Sequence, residues 1–196
     1  FRVMYHGAIN HGGQLRAPGD ERKPSTYFGP TSGYGRAFAS LPETPRRVGV
    51  IGLGAGAIAA YARKGDLFRF YEIDPQVAAV AVKEFTYLTG SPAQIDVVLG
   101  DGRLSLEREA PQRYDLLAID AFAGDSIPMH LLTREAMAVY RANQDLINIG
   151  AYKEGSNPKI DQAIAKIERI NGFIKQDVRH GCSVGDAISE LQEIVG

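Results

Sequence analysis

Val50-Ile51-Gly52-Leu53-Gly54-Ala55-Gly56 sets a G-x-G-x-G turn directly after a short apolar run. Glycine admits the positive φ angles of a tight turn and removes the Cβ that would hold a ligand off the backbone. A dinucleotide fingerprint reads G-x-G-x-x-G, which would put its third glycine where Ala57 stands, so the shorter spacing favours an adenosyl ligand. Alone, such a turn is explained equally well by close packing. Acids at two further sites strengthen the ligand reading. Tyr71-Glu72-Ile73-Asp74 follows about 20 residues on, where Glu72, an acceptor-only carboxylate, suits both hydroxyls of a ribose. Gly100-Asp101-Gly102 ends the next apolar run, and Asp101 can accept from an adenine amino group. Asp74 and Gly102 complete this nucleoside-binding set, and Asp120 would then face the reactive end of the same ligand.

These residues need a scaffold that brings them to one edge. Val48 to Ile51, Phe68 to Glu72, Ile95 to Leu99 and Tyr114 to Ile119 read as buried strands. Ala57 to Lys64 and Pro75 to Leu88 read as helices between them, Pro75 lying in a first turn where its missing N–H costs nothing. Strand and helix alternating at this spacing predict an α/β fold with a parallel sheet, whose ligands bind outside the carboxyl ends of the strands. Residues 1–45, with turn signals at Pro18-Gly19-Asp20 and Gly29-Pro30, read as an arm of short strands ahead of a partial adenosyl-binding domain over residues 46–141. Residues 142–196 read as a helical appendage. Asn157-Pro158 starts an apolar stripe of Ile160, Ile164, Ile167, Ile170 and Ile174, and Ser183 caps a second stripe through Val184, Ile188, Leu191 and Ile194.

Composition narrows the partners. With 44% hydrophobic and 23% charged residues the 196-residue chain is that of a globular protein, and its net charge of −1 favours neither nucleic acid nor an anionic membrane surface. No apolar run reaches the roughly 20 residues that span a bilayer, and the lone Cys182 suits a reducing cytoplasm. The chain opens on Phe1, as a fragment of a longer protein would. His6 and His11 lack the spacing of a metal site, so no metal is expected, and His130 reads as structural.

The run Ala118-Ile119-Asp120-Ala121-Phe122-Ala123-Gly124-Asp125-Ser126-Ile127-Pro128-Met129-His130-Leu131-Leu132-Thr133 resembles the catalytic-loop segment of spermidine synthase-like proteins, the polyamine aminopropyltransferases. Tyr5-His6-Gly7, His11-Gly12-Gly13-Gln14 and Tyr27-Phe28-Gly29-Pro30 resemble the N-terminal region of that family's bacterial branch, and the likeness covers about residues 2–141. It implies a partial class I, Rossmann-like fold and transfer of an aminopropyl group from decarboxylated S-adenosylmethionine to a small-molecule amine, releasing methylthioadenosine. It also implies Glu72 on ribose, Asp101 on adenine and Asp120 as general base, with Gln14, Tyr27, Tyr34 and Asp125 as candidate amine-site residues. An amine with pKa near ~10 must lose a proton before it attacks, and a carboxylate at Asp120 suits that step. Ala123 stands where the family pattern has a second aspartate.

Asp145-Leu146-Ile147-Asn148-Ile149-Gly150-Ala151-Tyr152 and Gly155-Ser156-Asn157-Pro158-Lys159-Ile160-Asp161 resemble instead the C-terminal segment of the flagellar and type III secretion export ATPases, a likeness over about residues 143–196. No G-x-x-x-x-G-K-[ST] phosphate loop accompanies it. The sequence thus reads as two pieces joined near Ala142-Asn143, with the fourth strand left as a sheet edge and a tail suited to a homodimer or a helical partner. Three functions stay open at this point: an aminopropyltransferase domain, inactive if the missing strands are needed; a methyltransferase using S-adenosylmethionine; and a non-catalytic interaction module.

Overall fold

The computed structural model describes residues 1–6, 9–122 and 127–143. The helical stripes expected after Asn157, and the whole segment from 144 on, lie outside the described residues.

Four strands form one parallel sheet. They are β3 (Arg47–Ile51), β4 (Leu67–Glu72), β5 (Gln94–Leu99) and β6 (Leu116–Ile119), in the order β5-β4-β3-β6. All four strands expected from the sequence are present, within two residues at each end. Chain order runs outward from β3 through β4 to β5, then returns to the other side of β3 as β6. The carboxyl ends of β3 and β6 therefore flank the switch point, the place where open α/β sheets leave a ligand crevice. Register is set by Val50, which lies beside Phe70 on one neighbour and Ala118 on the other. Among the described residues no strand pairs with the outer side of β6.

The two-residue period of the strands divides the core into two layers. Val48, Val50, Phe68, Phe70 and Ala118 pack with Met4, Phe28 and Phe38 and with Val77, Ala81 and Phe85 of α2 (Pro75–Glu84) and its exit. On the opposite face Ile51 and Tyr71 pack with Leu106 of α3 (Gly102–Arg108), Tyr114, Leu131, and Ala136 and Tyr140 of α4 (Arg134–Asn143). Gly49 makes room for the second layer, since a Cβ there would stand 2.5 Å from the Tyr114 ring.

The N-terminal arm is more than short strands. A hairpin of β1 (Arg2–His6) and β2 (Ile9–Gln14) leads into a 3₁₀ turn at Thr26–Phe28, and then a helix not expected from the sequence, α1 (Gly33–Ser40). Two glycines in α1 obscure its period; Ser32 starts it, its hydroxyl accepting from Gly35 N–H. The hairpin is built into the glycine turn, because the His11 carbonyl accepts from Ala55 N–H at 2.9 Å.

Two expected helices are shorter. Residues 57–64 hold only a 3₁₀ turn, Ala57–Tyr61, because the left-handed Gly56 precedes it and the Arg63–Asp66 turn follows. The guanidinium of buried Arg46 also takes the Tyr61 carbonyl, which a longer helix would need. Helix α2 stops at Glu84 rather than Leu88: Phe85 turns extended, Thr86 N–H goes to Gln14 Oε1, and Tyr87 and Leu88 enter the core. Helices α3 and α4 are likewise additions to the elements expected from the sequence. The join expected near Ala142-Asn143 falls at the end of α4, and Asn143 is buried. It donates to the Leu106 and Val139 carbonyls and accepts from the backbone N–H groups of Gln112 and Tyr114.

Candidate active site

The site is built from the carboxyl ends of the four parallel strands. At the end of β3, Gly52, Gly54 and Gly56 have φ of +96°, +51° and +74°, so the turn needs glycine for its conformation. The space beside each is filled by the protein itself. A Cβ on Gly52 would stand 2.4 Å from the Asp120 carbonyl oxygen, one on Gly54 2.4 Å from the His11 carbonyl oxygen, and one on Gly56 2.8 Å from Leu88. The glycines therefore first allow the turn to lie against β2 and the end of β6. Gly102, similarly, is packed against Ile51 and Tyr71 and opens α3.

Glu72, at the end of β4, is 7% exposed, and its carboxylate is held by two backbone donors: Leu53 N–H at 3.0 Å and Asp74 N–H at 2.9 Å. Each oxygen keeps a further lone pair. Glu72 thus ties the glycine turn to the β4 exit and remains able to accept hydroxyls. Asp74 caps α2, accepting from Gln76 N–H at 2.8 Å. Ile73 between them is 70% exposed, an apolar side chain standing at the strand end.

Asp101, after β5, accepts from Leu104 N–H at 2.9 Å through Oδ1, and His130 Nε2 lies 2.7 Å from its Oδ2. Burial alone would raise the Asp101 carboxyl, but the Leu104 N–H and the His130 ring outweigh it and hold it below the ordinary carboxylate range.

Asp120 follows β6, and its surroundings differ from those of the other acids. Its backbone N–H goes to the Ile51 carbonyl, fixing it beside the glycine turn. Tyr34 Oη stands 3.1 Å from Oδ1, and Tyr27 Oη 3.4 Å from Oδ2. Burial pushes the Asp120 carboxyl up to about 6, although both phenol hydroxyls pull it down. Burial and the same carboxyl push the two phenols well above their usual range, so both stay protonated donors. The rings of Tyr27, Phe28 and Tyr34 form a continuous aromatic run, with centroids 4.2 and 5.2 Å apart. A carboxyl poised near neutrality at a switch point and walled by aromatic rings is equipped to take a proton from an amine.

Gln14 is placed differently. It is 5% exposed, with its amide nitrogen donating to the Glu21 carbonyl and Thr86 Oγ1 and its oxygen accepting from Thr86 N–H, so all its bonds serve the fold. Asp125 lies outside the described residues. Sequence reasoning missed the Asp101–His130 contact, whose partners are 29 positions apart. The two tyrosines on Asp120 lie further still, 93 and 86 positions away, and no local spacing links them. Among the described residues no group of three His, Cys, Asp or Glu side chains could hold a metal ion, and no helix is long and apolar enough to cross a membrane.

Comparison with known proteins finds two relationships. The family model of the T3SS EscN ATPase C-terminal domain matches residues 129–193. The flagellum-specific ATP synthase of Treponema pallidum is 31% identical over 114 residues, covering 52% of this chain and 26% of that protein. The polyamine aminopropyltransferase of Vibrio vulnificus is 34% identical over 98 residues, covering 46% of this chain and 31% of that one. Among solved structures, a probable spermidine synthase from Corynebacterium glutamicum aligns with a TM-score of 0.47 and 21% identity, over 56% of this chain and 40% of the other. The chain is thus similar to polyamine aminopropyltransferases and to export ATPases, and spans between a quarter and a third of the length of these two curated relatives.

Proposed function

We propose that the α/β unit binds an adenosyl sulfonium or thioether nucleoside along the carboxyl ends of β3, β4, β5 and β6, and that it serves aminopropyl transfer to an amine. The observation that carries this reading is the state of Asp120, half-buried beside the glycine turn, pushed up to about 6 and held by two phenols. In this reading Glu72 accepts the ribose hydroxyls through its remaining lone pairs, and Asp101 takes the adenine amino group. The exposed Ile73 gives the base an apolar wall. Asp120 takes the proton from the attacking ammonium as nitrogen approaches the propyl carbon, and that carbon–sulfur bond breaks to leave a neutral thioether. Tyr27 and Tyr34 hold the carboxylate oriented while it does so. The similarity to the Vibrio vulnificus aminopropyltransferase supports aminopropyl over methyl transfer, and the single cysteine suits a cytoplasmic setting.

Titration calorimetry with methylthioadenosine tests it. The chain should bind, and Glu72→Gln, which keeps the size but loses one acceptor, should bind about tenfold more weakly. Absence of binding to the unaltered chain would remove the reading.

A second reading is favoured by the family-model match over residues 129–193. In it the C-terminal segment docks on a helical partner or a second copy. Sedimentation of the full chain, with and without charged substitutions at Ile164 and Ile167, tests it; a monomer in both cases counts against self-association.

A further inference from the structure

His130 does more than fasten the turn that carries it. That turn (Met129–Leu131) is already anchored: Arg103 Nη1 donates to the His130 carbonyl at 3.0 Å, Tyr140 Oη donates to the Leu131 carbonyl at 3.0 Å, and the Leu131 side chain is buried. Helix α3 is likewise capped without help from the imidazole, by Asp101 Oδ1 on Leu104 N–H. What the ring adds is a bond to the other oxygen of Asp101. A carboxylate held at one oxygen can still swing about its own bond, whereas one held at both oxygens presents its remaining lone pairs in fixed directions. The exits of β4 and β5 and the turn of His130 each carry one exposed apolar side chain. Ile73 is 70% exposed, Leu99 58% and Met129 79%, as suits the faces of a flat heterocycle.

We propose that His130 is a positioning residue for nucleobase recognition: it fixes Asp101 so that an acceptor, and no donor, meets the exocyclic group of a purine. This rests on the nucleoside reading given above. A 6-amino purine offers that acceptor a hydrogen bond, whereas a 6-oxo purine sets oxygen against oxygen, so the site selects adenine over hypoxanthine.

The test is calorimetric titration of methylthioadenosine and of methylthioinosine into the full chain, His130→Gln and His130→Leu. The unaltered chain should prefer the amino compound. His130→Leu should lose about tenfold in affinity for it and narrow the ratio between the two ligands. His130→Gln, whose amide can still donate to Asp101, should stay within about threefold of the unaltered chain. An unchanged ratio in His130→Leu, or equal loss of both ligands in both variants, overturns the positioning role while leaving the nucleoside site standing. Failure of the unaltered chain to bind either compound overturns both.

Discussion

Tyr34 Oη stands 3.1 Å from Asp120 Oδ1, a contact between the helix that follows the N-terminal hairpin and the end of the last described strand. Burial raises Asp120 to about 6, and this phenol works against it by favouring the charged form. Removing the hydroxyl therefore leaves burial less opposed. Tyr34→Phe should raise the Asp120 value further, by about one unit, the equivalent of one hydrogen bond to a charged group. Tyr27→Phe should raise it less, since that contact is longer at 3.4 Å. Carbon-detected NMR titration of the labelled carboxyl reads this directly and needs no activity. A value unmoved in Tyr34→Phe would mean that the phenol does not hold the acid.

A carboxyl raised on folding costs stability once it must ionise. Asp120 titrates near 6 in the fold against ~3.9 in an unfolded chain, so between those values the folded state holds more protons. Stability then falls as pH climbs from about 4 to about 6 and stays lower above. Asp120→Asn should consequently leave stability at pH 4 nearly unchanged and raise it at pH 8 by about 2 kcal/mol, with partial solvent access trimming the full linkage value. Urea midpoints at the two pH values measure it. Equal effects at both would show that the gain came from something other than ionisation.

The opposite sign applies to Asp66. Its carboxylate accepts from the backbone N–H groups of Arg46 and Arg63 and from the Arg46 guanidinium, and both side chains of the pair are almost fully buried. Burial alone would raise it, but these bonds outweigh burial and depress it. Its contribution is therefore present above the unfolded carboxylate value and lost as pH falls through the depressed one. Asp66→Ala leaves the Arg46 charge buried beneath Phe38, whose ring centroid lies 5.6 Å from the guanidinium. It should cost about 3–5 kcal/mol at pH 7, read from denaturant unfolding, and progressively less as pH falls through the depressed Asp66 value.

The four strands were legible because each is a short apolar run ending in glycine or acid, and a parallel sheet needs little else to be recognised. The ends of helices were less so. Helix α2 stops at Glu84 because Gln14, 72 positions away, takes the Thr86 N–H, and no local signal carries that information. The acids Glu72, Asp101 and Asp120 could be placed on one edge from chain order alone. Their partners could not: His130, Tyr27 and Tyr34 reach them only through tertiary structure. Gln14 sits in a family-like motif, and its amide is bonded to the Glu21 carbonyl and to Thr86, a partner 72 positions away that the motif does not reveal.

The glycine turn separates two reasons for glycine that the sequence cannot tell apart. Gly19 has φ +85° with nothing within 4 Å of where a Cβ would sit, so alanine there meets only the backbone penalty, about 1 kcal/mol. Gly52 has φ +96° and in addition faces the Asp120 carbonyl oxygen, 2.4 Å from the position its own Cβ would take. Neither side can yield cheaply, because Gly52 N–H is bonded to the Tyr71 carbonyl and Asp120 N–H to the Ile51 carbonyl, both at 2.8 Å. Gly52→Ala should therefore cost about 3 kcal/mol, the backbone penalty plus that of overpacking. It should also push Asp120 away from its tyrosines and weaken methylthioadenosine binding, whereas Gly19→Ala should leave binding unchanged. Equal losses of stability in the two variants would mean that β6 gives way, and that the turn does not set where Asp120 stands.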